Sequence, residues 1–250
     1  MKRLALASLA IAFAAAPALA ADMTVKAAPA PPPVYSWTGV YFGGFAGGLW
    51  GSTDNTFVNP PLATIHQSSR TGIGGGFFGA QAQYSWWVVG IEIGDGLPFK
   101  TDFGSGACNP VAACAAGFTT TESVGRHNGI FTAGGRTGFA FDRWLIYGSA
   151  GGTFADVSQS TCTIAACPLE TATATFKGFY AGGGFDVMVW GNWTVGFEYR
   201  HYQFDTQGWV PVSPAGVANL ADAVQSKLKF DTAVFRLTYL YGMPFSGARY

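Results

Sequence analysis

Six charged residues stand alone inside apolar stretches of this chain. They are Glu92 in VVGIEIG, Arg136 in FTAGGRTGFAF, Asp186 in GGGFDVMVW, Glu198 and Arg200 in WTVGFEYRHYQF, and Arg236 in TAVFRLTYLY. Half are acids and half are arginines. Two chemistries suit such a set. A ring of charge can tune a narrow pore. Opposite charges shut away from water can neutralise one another as a buried cluster. Nucleophilic catalysis lacks a candidate in the sequence. Of the histidines, His66 and His127 fall in or beside polar loops, and His201 begins His201-Tyr202-Gln203, with no Ser or Cys to act as nucleophile beside a base. No enzyme activity is expected.

The cysteines form two close pairs, Cys108/Cys114 and Cys162/Cys167, each inside one polar loop. Pairing within each loop is the simplest of three possible disulfide connectivities. Zinc is disfavoured because the spacings are wide and neither loop holds a histidine. No metal or cofactor is expected. Gly74, Gly76 and Gly79 match a dinucleotide-binding spacing. Strand-like alternation continues through Phe78, Ala80 and Ala82, where that motif needs a helix.

The elements that must position the six charges are read from alternation. Trp193, Val195, Phe197 and Tyr199 alternate with Thr194, Gly196, Glu198 and Arg200. A strand sends successive side chains to opposite faces, so one face is apolar and the other carries charge and glycine. The same pattern predicts strands near 37–50, 71–84, 86–99, 126–141, 144–157, 174–189, 193–206 and 227–241. Three connections are tight: Tyr84-Ser85-Trp86, Asp142-Arg143 and Trp190-Gly191-Asn192. Four are long and polar, near 51–70, 100–125, 158–173 and 207–226, and the two kinds alternate. The fold class is all-β, an eight-stranded antiparallel up-and-down transmembrane β-barrel, with short turns at one end and long loops at the other.

Composition agrees. Only 11% of residues are charged and 16% are aromatic, with 35 glycines; a soluble domain averages about 25% charged. No mature segment has the ~18 uninterrupted apolar residues of a spanning helix. Net charge is zero, and no basic stripe suggests nucleic acid. Met1-Lys2-Arg3, an apolar core to Ala16 and Ala18-Leu19-Ala20 read as an export signal over 1–20. A proline-rich periplasmic spacer over 21–35 precedes a barrel over 36–250.

Turning each apolar face to lipid sends Glu92, Arg136, Asp186, Glu198, Arg200 and Arg236 inward as a lumen charge cluster. A one-residue slip would put all six in lipid, where Arg or Lys costs roughly 2–4 kcal/mol each near the midplane. Lys177 and Lys229 face outward beyond the apolar band and are candidate contacts for lipid phosphates.

YSWTGVYFGGFAGG, FDRWLIYGSAGG and GFYAGGGFDV…WGNWTVGFEYRHYQF resemble the small surface-antigen barrels of alphaproteobacteria. These are the outer-membrane immunogenic or porin-family proteins, with OmpA/OmpX-like eight-stranded barrels. The resemblance implies no enzyme activity and no well-defined substrate. One departure is the tail GMPFSGARY after Tyr241, since such barrels typically end on an aromatic of the last strand. The expected location is the outer membrane of a Gram-negative cell envelope, with both termini periplasmic. The expected role is structural support of the envelope with exposed loops for external contacts, and the alternative is a small diffusion pore with a charged lumen. Expected partners are outer-membrane lipid, lipopolysaccharide included, and the barrel-assembly machinery.

Overall fold

The computed structural model describes residues 35–58, 64–100, 102–107, 119–124, 129–162, 170–218, 220 and 223–242. The expected export signal, all but the last residue of the spacer, His127 and the tail from 243 onward lie outside the described residues.

Eight antiparallel staves form a closed ring: β1 (Gly39–Phe57), β2 (Thr64–Tyr84), β3 (Trp87–Pro98), β6 (Ile130–Phe141), β7 (Trp144–Cys162), β8 (Glu170–Trp190), β9 (Trp193–Phe204) and β11 (Val224–Tyr241). Closure is made between β1 and β11, from Val40 opposite Tyr241 to Phe57 opposite Val224. Three short segments accompany the ring: β4 (Asp102–Ala107), β5 (Thr119–Val124) and β10 (Gln207–Trp209). β5 runs beside β7 beyond β6: Val124 faces Val157 and Ile130 faces Ala155. β10 continues the pairing of β9 with β11.

Ser85, Asp142 and Gly191 take φ of 57°, 52° and 54° in the three tight turns. A positive φ at the first of two turn residues is the type II′ pattern, whose twist matches that of the flanking strands.

At the other end the strands outrun the sequence-based boundaries. β1 and β2 stay paired up to Thr56 opposite Thr64, inside the loop expected over 51–70. β7 and β8 pair up to Thr161 opposite Glu170, inside the loop expected over 158–173. Alternation persists there, but between polar residues: Thr53 and Asn55 are buried while Ser52 and Thr56 are exposed. A hydrophobic pattern cannot reveal a strand that is polar on both faces.

The exterior is apolar. Ile91, Leu237 and Phe235 are 69%, 51% and 71% exposed, whereas Glu92 and Arg236 beside them in sequence are 6% and 3% exposed. Near the turn end the outer face carries aromatic pairs, Trp86 with Phe139 at 5.0 Å and Trp193 with Tyr239 at 5.2 Å between ring centroids. Rings at that level suit a lipid–water interface.

Candidate functional site

The lumen is built in three layers. At the turn end Trp37, Tyr41, Phe77, Val88, Leu145, Met188 and Leu240 pack as an apolar floor. Trp37 belongs there because the chain before β1 turns inward: its backbone N–H donates to Gln83 Oε1 at 2.8 Å. At the loop end Leu49, Ile73, Val157, Phe176, Phe204, Trp209, Leu228 and Phe230 form an apolar roof. Between them lies the charged layer.

All six charged residues predicted to face inward are in that layer, each between 1% and 7% exposed. Glu92 on β3 is the hub. It takes Arg200 Nη2 at 2.6 Å, Arg236 Nη2 at 2.6 Å and Arg136 Nη1 at 3.6 Å. Arg136 also reaches Asp186 Oδ2 at 2.9 Å, and Arg200 Nε reaches Glu198 Oε1 at 2.8 Å. Arg236 Nη1 closes the circuit on Glu198 Oε2. Neutral donors join it: Ser149 Oγ donates to Glu198 at 2.9 Å, and Tyr41 OH donates to Glu92 at 3.1 Å. Charges buried this deeply persist only when paired and hydrogen-bonded.

Each guanidinium also lies over an aromatic ring. Arg236 stands 3.8 Å from the Phe77 centroid, Arg136 4.2 Å from that of Tyr147, and Arg200 4.8 Å from that of Tyr180. Sequence reasoning missed these rings. Tyr41-Phe42 and Phe77-Phe78 are adjacent aromatics, so one goes to each face and hydrophobicity alone does not say which; on β8 the outward parity of Phe179 already turns Tyr180 inward. The backbone is shaped to fit. A Cβ on Gly196 would lie 2.0 Å from Asp186 Oδ1, and one on Gly79 would lie 2.4 Å from the Tyr41 ring. Glycine is what lets these side chains lie against the wall.

Among the described residues, a cavity of about 20 Å³ lies within the layer, bordered by Phe77, Glu92, Arg200, Tyr202 and Arg236. Roughly one water molecule fits such a volume.

The other expected residues do not join this layer. His201 is on the outer wall, where its Nδ1 lies 2.8 Å from Asp231 Oδ1, and Tyr199 OH donates to the same oxygen at 2.5 Å. Among the described residues no Ser or Cys hydrogen-bonds His201. His66 pairs with Asp54 at 2.6 Å, also outside the lumen. Lys177 and Lys229 are both exposed on the outer wall, on β8 and β11 with β9 between them. Cys108, Cys114 and Cys167 lie outside the described residues, as does the side chain of Cys162 at the end of β7. Among the described residues no cluster of potential metal ligands forms.

A closed antiparallel ring with an apolar exterior and ionised residues sealed inside defines a transmembrane β-barrel. The chain belongs to the outer membrane protein beta-barrel domain family, which matches residues 6–240. It is 31% identical to the 31 kDa outer-membrane immunogenic protein of Brucella melitensis, over 96% of this chain and all of that protein. The same identity holds for the Brucella suis protein of that name. Among solved structures, the Escherichia coli outer membrane protease OmpT superposes with a TM-score of 0.50 at 9% identity, covering 84% of this chain and 99% of that one. Pseudomonas aeruginosa OprG does so at 0.50 and 10% identity, covering 82% and 97%. At such identities the likeness is one of fold. The protein is thus an outer-membrane β-barrel of Gram-negative type.

Proposed function

We propose that this protein is a closed structural barrel that supports envelope integrity and carries surface-exposed loops for external contacts. In this reading both termini are periplasmic and the loop end faces outward, as a surface antigen requires. The name of the Brucella relatives, an immunogenic protein, is consistent with such exposure. One observation carries the reading: the charged layer is ion-paired across the lumen and packed between two apolar layers, and the cavity beside Glu92 and Arg236 holds only about 20 Å³. An ion crossing it would have to break several buried pairs and pass apolar side chains with its hydration shell removed. No catalytic step is assigned.

The test is planar-bilayer recording of the purified, folded protein. The expected result is no steady single-channel current. Reproducible open-channel conductance would replace this reading with that of a small diffusion pore.

A further inference from the structure

The outer wall changes character along one line. Outward positions on β11 run Tyr241, Tyr239, Leu237, Phe235 and Ala233, then Asp231, Lys229 and Lys227. Outward positions on β1 run from Phe42 up to Trp50, then Ser52 and Asp54; on β2 the first polar one is Arg70, followed by Ser68. The switch falls on a single cross-strand row, in which Arg70 is opposite Trp50 and Trp50 is opposite Asp231. In the next row Ser68 is opposite Ser52 and Ser52 is opposite Lys229. The two serines are small and their neighbours are large, so the wall sinks there into a depression of about 570 Å³.

Its charge is unbalanced. Asp231 is held by His201 and Tyr199, and Asp54 one row above is held by His66. Arg70 and Lys229 make no ion pair among the described residues. Two free cations therefore flank two hydroxyls where apolar wall gives way to polar wall, which is headgroup level. Trp50 stands beside them with Tyr199 6.4 Å away, an aromatic surface for the C–H face of a sugar.

We propose that this depression binds the phosphorylated sugar headgroup of an outer-leaflet glycolipid, with phosphate on Arg70 and Lys229. Arginine and lysine recognise phosphate through charge-assisted hydrogen bonds, and the serine hydroxyls can donate to the same group. The inference rests on the loop end facing outward. Of the two lysines singled out from sequence, only Lys229 borders this depression.

Native mass spectrometry of the detergent-solubilised full chain tests it, with bis-phosphorylated lipid A, dephosphorylated lipid A and phosphatidylglycerol as separate probes. One retained bis-phosphorylated molecule is expected, with the other two lipids at least roughly tenfold weaker, since the site reads phosphate and sugar together. The R70Q/K229Q double variant should bind about 30-fold more weakly, each interfacial cation being worth about fivefold, while Lys177→Gln, on β8 outside the depression, binds as wild type. If the double variant does not fold, Ser52→Leu fills the depression and should abolish retention. Equal binding of phosphatidylglycerol or of the dephosphorylated lipid, or unchanged binding by a folded variant, overturns the proposal. Heat-modifiable migration and the absence of conductance are read separately, so the barrel reading stands or falls independently.

Discussion

Arg236 bridges Glu92 and Glu198 and lies over Phe77, so it ties two of the three buried acids together. Arg236→Met leaves the layer with one cation too few. Breaking a buried pair in this way typically costs about 3–5 kcal/mol. The expected result is a lower temperature for loss of the compact band in a gel-shift assay. Arg236→Lys should recover only part of it, because an ammonium cannot span two carboxylates as a planar fork does. Gly196→Ala probes the same layer from the wall. Its methyl would meet Asp186, so a loss of about 1–3 kcal/mol is expected, as for other overpacked cores, read as an earlier urea midpoint in micelles. The charged residues were legible in the sequence because each lies on a strand whose alternating apolar residues, such as Phe235 and Leu237 about Arg236, fix parity. Their ring partners were not singled out, because Phe77-Phe78 presents an aromatic whichever way the strand turns and nothing in sequence ties Tyr147 or Tyr180 to a particular arginine on another strand. Arg70 was hidden differently: it sits where a polar loop was expected and the structure has a polar strand.

The elements show the same division between apolar and polar alternation. The turn ends of all eight staves were legible within a few residues, because Trp, Phe and Val alternate there right up to the turns. The far ends were not, since Ser52, Asp54 and Thr56 face out while Thr53 and Asn55 face in, and nothing in hydropathy separates them. The turns themselves yield a prediction. Ser85 holds a φ of 57°, which costs a β-branched residue most. Ser85→Val should destabilise the β2–β3 hairpin by about 1–2 kcal/mol, whereas Ser85→Gly should not. Refolding from urea into micelles, followed by tryptophan fluorescence, measures both.

At the scale of the whole molecule, orientation is directly testable. Gly216 lies in an exposed turn at the loop end and Gly191 in a tight turn at the other, and neither has an atom within 4 Å of where a Cβ would sit. A short epitope inserted at Gly216 should be stained by antibody on intact cells. One inserted at Gly191 should be stained only after the outer membrane is permeabilised. The reverse pattern would turn the barrel over. The way the ring is sealed has a consequence for biogenesis. Arg236 is carried by the last stave, 144 residues along the chain from Glu92 and 38 from Glu198. The seam with β1 and the ionic latch across the interior therefore come together in one event. A nascent chain stalled before β11 would hold three acids against two arginines, one negative charge uncompensated in an unfinished, greasy bowl. Incompleteness is thereby written into its charge, a checkpoint that any truncated copy fails.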